Sequence, residues 1–217
     1  MLKHGYGWVY PMPTPTDVWR GQLGRVWGER NDLTPQELDS RYLTELGVTR
    51  SELNADFLVG LPKDAAILEV GCGTGLQLRF LHDTGFTNLY GVDLNTELLK
   101  QCPHYVLTTE ASADDLPFSD GLFDLVFTSG LLMHVPPDSL IDTMREIARV
   151  SCRWVWGYEY YAPESQEVEW RGRKGILWRD DHPRLYQSLG LRLAKVRYLP
   201  HIMDGSKVDV MFLLEKT

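Results

Sequence analysis

The sequence predicts an α/β protein built on a doubly wound, mostly parallel sheet with helices on both faces, and three observations carry that prediction. Between Ala66 and Val150, short apolar runs suited to buried strands alternate with amphipathic stretches of helical period. The first run, Ala66 to Val70, enters a glycine turn, Gly71-Cys72-Gly73-Thr74-Gly75, and a helical pattern opens at Leu76. The second run ends on an acid, Asp93, 18 positions beyond the last of those glycines. Strand, glycine turn, helix and a neighbouring strand tipped with a carboxylate is the order that a nucleoside-binding sheet edge requires.

The elements follow in order. Met1 to Thr16 holds prolines and aromatics without periodicity and reads as an irregular arm. Asp17 caps a first helix to about Gly28, and Thr34-Pro35-Gln36-Glu37 and Thr49-Arg50-Ser51-Glu52 are capping boxes for two more. Residues 1–62 are thus an arm and helical cover, and residues 63–217 the core. Strands are expected at 66–70, 88–93, 104–109 and 123–128, with helices at 76–84, 95–101 and 138–149. A fifth strand spans Trp154 to Tyr161, a charged segment runs to about Asp181, and a short helix covers 183–189. Two last strands, Arg192 to Tyr198 and Val208 to Glu215, complete the chain.

At 217 residues the chain suits one α/β domain with a modest accessory segment. Its net charge of −8 disfavours nucleic acid, whose non-specific affinity rests on Lys and Arg neutralising phosphates. No apolar run approaches the roughly 18 residues of a membrane span, and Met1 to Tyr10 lacks the apolar core of a signal peptide, so a soluble, cytoplasmic protein is expected. Cys72, Cys102 and Cys152 are far apart and offer no metal-ligand spacing, so neither disulfides nor a metal is expected.

Spacing in the glycine turn separates two cofactor classes. A dinucleotide site uses G-x-G-x-x-G to seat a pyrophosphate on the helix N-terminus, whereas this turn is G-x-G-x-G. The shorter loop suits a ribose without phosphates, and Asp93 can accept hydrogen bonds from both ribose hydroxyls. S-adenosyl-L-methionine fits that description. The blocks E-V-G-C-G-T-G, G-V-D-L-N and L-P-F-S-D-G-L-F-D-L-V-F resemble the class I S-adenosylmethionine-dependent methyltransferases over about Ala65 to Val150. That resemblance implies a Rossmann-like, seven-stranded sheet. It also implies a cofactor site made of Glu69, Gly71, Cys72, Gly73 and Gly75 at the turn, and Asp93, Leu94 and Asn95 at the ribose and adenine. Ser112 and Ala113 stand where relatives commonly present an acid to the adenine amino group, with Asp114 as a substitute. Ser129 ends the fourth strand on the ligand-binding edge, and of Trp19, Trp27 and Arg30 in the pre-core region, Trp19 is expected to bind the cofactor and Arg30 to pair with its carboxylate.

Methyl transfer from a sulfonium requires in-line alignment, and an alcohol acceptor also requires a base. His134, in L-L-M-H-V-P after the fourth strand, is the first candidate base, and Glu159, among tyrosines at the end of the fifth, the second. The segment 157–182 is expected to be a substrate cap in which Tyr160, Tyr161, Arg171, Arg179 and Asp180 bind the acceptor: rings for a sugar face, guanidinium forks for a carboxylate. The strings E-Y-Y-A-P, R-G, H-V-P-P-D, A-R-V-S-C-R and W-G-E-R-N resemble the methylases associated with pseudaminic acid biosynthesis. The chain departs from them at Arg173 and Asp181, where a histidine and a phenylalanine are expected. The function implied is methyl transfer to an oxygen or nitrogen of a small polar acceptor, a sugar or nonulosonic acid that can be anionic. Tailoring of another natural product, or a scaffold that binds the cofactor without chemistry, are the alternatives.

Overall fold

Helical cover and sheet meet through an arginine that the core swallows whole. The computed structural model describes residues 15–21, 24–26, 28, 33–170 and 172–216. The first fourteen residues of the expected arm, Trp27, Arg30 and Arg171 lie outside them. Helix α1, Pro15–Arg20, is followed by a turn at Gly21, and residues 24–26 and 28 are helical, so the expected single helix from Asp17 to Gly28 starts earlier and is interrupted.

Both capping boxes form. Helix α2, Pro35–Leu46, begins where the Thr34 hydroxyl accepts from the Glu37 N–H at 3.2 Å and the Glu37 carboxylate accepts from the Thr34 N–H at 2.8 Å. It ends at Gly47, whose φ of 73° is left-handed. Helix α3, Arg50–Phe57, starts from the same arrangement at Thr49 and Glu52. Within α3, Arg50 is fully buried, its Nε donating to Asn54 Oδ1 at 2.9 Å and its Nη1 to the Tyr42 hydroxyl at 3.3 Å. Its guanidinium lies 4.8 Å from the Tyr158 ring centroid and 5.3 Å from that of Trp156. Cation–π contact of this kind, desolvated, is worth about 2 kcal/mol or more and fixes the helical cover on the sheet.

The core alternates as expected: β1 Ala66–Val70, α4 Leu76–Asp83, β2 Asn88–Asp93, α5 Thr96–Leu99, β3 Val106–Glu110, β4 Phe123–Ser129, then a short 3-10 turn at Leu132–His134 and α6 Pro137–Val150. Strand β5, Ser151–Tyr161, is followed by a small pair, β6 Gln166–Glu167 and β7 Trp178–Arg179, then α7 His182–Ser188, β8 Arg192–Pro200 and β9 Val208–Glu215. The β3 strand starts two residues later than expected because a turn holds the Val106 N–H on the Pro103 carbonyl. Helix α5 is shorter than the expected 95–101: Asn95 caps it from outside, accepting from Glu97 N–H at 3.1 Å, and Pro103 lies just beyond.

Seven strands form one sheet in the order β3-β2-β1-β4-β5-β9-β8, with β9 antiparallel between β5 and β8 and the rest parallel. Strand order reverses between β1 and β4, which opens a crevice at their carboxyl ends. Apolar side chains cover both faces. Leu53, Phe57 and Leu81 pack on one side with Ile67 and Phe127, and Leu140, Met144 and Ile147 of α6 pack on the other with Leu68 and Val126. Each such buried side chain contributes about 1.5–3 kcal/mol, so the crevice is framed by rigid elements. Among the described residues no helix is long and apolar enough to cross a membrane.

Candidate active site

Two cavities meet at the crevice and share Gly71, Ser129, Gly130 and His134 as a common wall. One, of about 450 Å³, lies over the ends of β2 and β3 beneath Trp19; the other, of about 310 Å³, lies between α2 and the ends of β5 and β9.

The glycine turn makes that wall possible. Gly71, Gly73 and Gly75 have φ of 76°, 53° and 76°, a region that other residues avoid. A Cβ on Gly71 would also stand 2.8 Å from Leu131 Cδ1. Asp93 fastens the turn, one oxygen accepting from the Gly73 N–H and the other from the Asn95 N–H, each at 2.9 Å. Burial raises the Asp93 carboxyl above its ordinary range, and the backbone N–H groups work against that. Each oxygen keeps a lone pair for a ligand hydroxyl.

Further along the 450 Å³ cavity stand Leu94, Ser112, Ala113 and Asp114. The Ser112 hydroxyl is held by Asp114. Trp19 lines the same cavity and its carbonyl accepts from Asn95 Nδ2 at 3.2 Å. Asn95 is therefore not a pocket wall as expected: both ends of its amide are committed, one to Trp19 and one to capping α5. Gly73 and Gly75 likewise shape the turn from behind, whereas Gly71 and Cys72 line a cavity.

Two buried acceptors belong to residues that line the 310 Å³ cavity. Glu69 Oε2 and Gln77 Oε1 have no hydrogen-bond partner among the described residues. Burial pushes the Glu69 carboxyl well above its usual range, with the Arg50 charge opposing. Orphaned acceptors are costly, about 1–3 kcal/mol each, and an ammonium group is what would satisfy both. The set of ribose acceptor, positive-φ turn and paired ammonium acceptors fits an adenosyl amino acid.

His134 lines both cavities. Its Nδ1 lies 2.8 Å from the Ile176 carbonyl, which only accepts, so Nδ1 carries the proton. The ring packs on Trp19 at 4.3 Å and Trp170 at 6.1 Å between centroids. Burial lowers its pKa to about 4, against the single favourable hydrogen bond. Such an imidazole is a poor base near neutrality and a good neutral wall. Because the folded value lies below the ordinary 6.5, its contribution to stability is complete above pH 6.5 and is lost as pH falls towards 4. Urea unfolding of the native chain and of His134→Asn should therefore differ less at pH 5 than at pH 8, by about 1–2 kcal/mol. A pH-independent difference would contradict this.

Glu159 lines neither cavity. Strand alternation explains the correction: Tyr158 and Tyr160 of β5 face the 310 Å³ cavity, so the residue between them points through the sheet. There it is fully buried and accepts from the N–H groups of Leu131 at 3.2 Å and Met133 at 3.3 Å. Burial raises its pKa to about 7. It braces the turn after β4 and presents no atom to a ligand.

The structure gathers few of the expected acceptor residues. Tyr160 lines the 310 Å³ cavity; Tyr161, Arg179 and Asp180 line neither. Asp180 bridges to Tyr161 and its carboxylate accepts from the Asp181 N–H, holding the cap to β5. Sequence reasoning passed over Gln77, Arg41, Tyr42, Tyr158, His201 and Asp209, all of which line the 310 Å³ cavity. The i, i+2 relation of Tyr158 to Tyr160 was a signal for one of them. The others come from distant elements.

Residues 68–153 match the family model described as "Methyltransferase domain". Human methyltransferase-like protein 27 is 39% identical over 80 residues, which are 35% of this chain and 33% of that protein. The sterol 24-C-methyltransferase of Schizosaccharomyces pombe is 27% identical over 112 residues, 48% of this chain and 29% of that protein. The chain thus spans about a third of the length of the curated relatives it matches. A solved structure of Burkholderia thailandensis 1,6-didemethyltoxoflavin-N1-methyltransferase, holding S-adenosylhomocysteine, superposes with a TM-score of 0.70 at 15% identity over 99% of this chain and 98% of that one. The likeness at that identity is one of fold.

Proposed function

We propose that this chain, whose residues 68–153 match a methyltransferase domain, uses S-adenosyl-L-methionine to methylate an oxygen or nitrogen of a small polar acceptor of the sugar or nonulosonic acid class. One observation carries the reading. The cavity with the ribose-type carboxylate, Asp93, and the cavity with the orphaned ammonium acceptors, Glu69 and Gln77, lie side by side and share Gly71 and Ser129 in their linings.

When bound, the cofactor supplies a methyl group already activated by its positive sulfur. The chain's own residues then have three tasks. Asp93 and Glu69 grip the two ends, so that the middle is fixed at the shared wall. His134, Trp19 and Trp170 close that wall with rings and keep water from it. Tyr158 and Tyr160 face the cavity left for the acceptor.

The sugar reading is supported by the aromatic and polar lining of that cavity and by the E-Y-Y-A-P and R-G strings of the chain. Incubation with methyl-labelled donor and candidate sugars and sugar acids, followed by mass spectrometry, tests it. Gain of one methyl group on such a compound is the expected result. A second reading, tailoring of another natural product, is favoured by the relatives' names, a sterol and a toxoflavin precursor among them. Methylation of those compound classes and not of sugars would replace the first reading with the second.

A further inference from the structure

We propose that His201, held by Asp209, is the base that takes the proton from an acceptor hydroxyl, and that the 310 Å³ cavity admits an uncharged hydroxylated ring in preference to an acid. This rests on the donor assignment above and narrows it.

His201 follows β8 and, like His134, lines the cavity. Its Nε2 lies 3.1 Å from Asp209 Oδ2, and the Tyr158 hydroxyl donates to the same oxygen. Asp209 is buried, so its carboxylate has little solvent to share these donors with. With Nε2–H committed to Asp209, Nδ1 is the nitrogen that can accept a proton. The frame is rigid: Asp209 pairs with Tyr160 across β5 and β9, His201 N–H donates to the Lys207 carbonyl at 2.9 Å, and Ile202 N–H donates to Glu45 of α2 at 2.8 Å. Tyr158 and Asp209 are positioning residues. The arrangement is a base oriented by a buried carboxylate, which the other histidine at the site lacks.

The step balances. The acceptor O–H bond breaks and its proton passes to His201 Nδ1, giving an imidazolium that Asp209 stabilises. The oxygen's electron pair forms the new O–CH3 bond, and the S–CH3 pair returns to sulfur, leaving a neutral thioether. No further co-reactant is needed.

Charge decides the acceptor. Beside Glu69, which the donor's ammonium occupies, Glu45 and Asp209 line the cavity, while Arg41 is its one arginine among the described residues and is paired with Glu45 at 3.0 Å. An acid entering here would meet more negative than positive charge. Trp170 and Tyr160 offer flat faces and the hydroxyls of Tyr42 and Tyr158 offer hydrogen bonds, which is the lining a neutral sugar uses.

The test titrates protein saturated with S-adenosylhomocysteine with N-acetylglucosamine and with N-acetylneuraminic acid, following the imidazole nitrogens of His201 by NMR. The neutral sugar is expected to shift the Nδ1 signal and to bind at least about tenfold more tightly than the sugar acid. His201→Asn should weaken the neutral sugar by about tenfold with S-adenosylhomocysteine affinity unchanged. In Asp209→Asn, an amide that keeps its oxygen on the Tyr158 hydroxyl and turns its NH2 donor to His201 Nε2 requires that nitrogen to accept, so the His201 tautomer should shift from Nε2–H towards Nδ1–H, a change that simple loosening of the fold does not produce. The proposal is overturned if the sugar acid binds more tightly, if neither sugar moves the His201 signals, or if His201→Asn leaves sugar binding intact. Failure to bind S-adenosylhomocysteine at all would instead remove the donor assignment.

Discussion

Asp93→Ala is expected to lower affinity for S-adenosylhomocysteine by at least about 100-fold. Two losses combine. Hydrogen bonds from ribose hydroxyls to a charged acceptor contribute about 1.5–3 kcal/mol each, and two of them correspond to roughly a hundredfold or more. The Gly73 and Asn95 N–H groups also lose the carboxylate that fixes the turn. Isothermal calorimetry on the variant, with circular dichroism confirming its fold, measures the effect. Affinity equal to that of the native chain would remove Asp93 from the ribose.

Glu69→Gln is expected to show a different pattern. Its carboxylate faces the cavity with one oxygen unpartnered, and an ammonium seated there restores the charge that burial opposes. Replacing charge by an amide, which turns a donor or a weaker acceptor to that ammonium, should weaken S-adenosylhomocysteine about 10- to 100-fold. 5′-Methylthioadenosine, which lacks the amino acid end, should bind almost as it does to the native chain. Parallel titrations separate the two ends of the cofactor. Equal loss for both ligands would mean that Glu69 shapes the turn and does not meet the ammonium.

The contrast between these residues and His201 shows what a linear sequence makes visible. Glu69, the glycines and Asp93 sit within two consecutive βα units, so their spacing is set by local geometry and can be read directly. The capping boxes at Thr34 and Thr49 are local in the same way and form as expected. His201 and Asp209 flank the connection from β8 to β9, and their meeting with Tyr158 depends on the antiparallel pairing of β5 with β9, which no motif announces.

Glu159 failed for a simpler reason. Its neighbour Tyr160 was legible as a site residue, but a strand sends adjacent residues to opposite faces, and the carboxylate went to the turn amides behind. Arg50 shows the complementary case. An arginine in a capping box reads as a surface residue, yet three aromatic rings from α2 and β5 enclose it. Charged residues of the cap, Arg179 and Asp180, matched a sugar-acid pattern in sequence and were drawn by the small β6–β7 pair and by Tyr161 away from both cavities.

Calorimetric titration of the purified native chain with S-adenosylhomocysteine tests the central claim most directly. The account predicts saturable binding at one site with a dissociation constant in the range of about 1 to 100 μM. Absence of heat, with the protein shown to be folded, would contradict it.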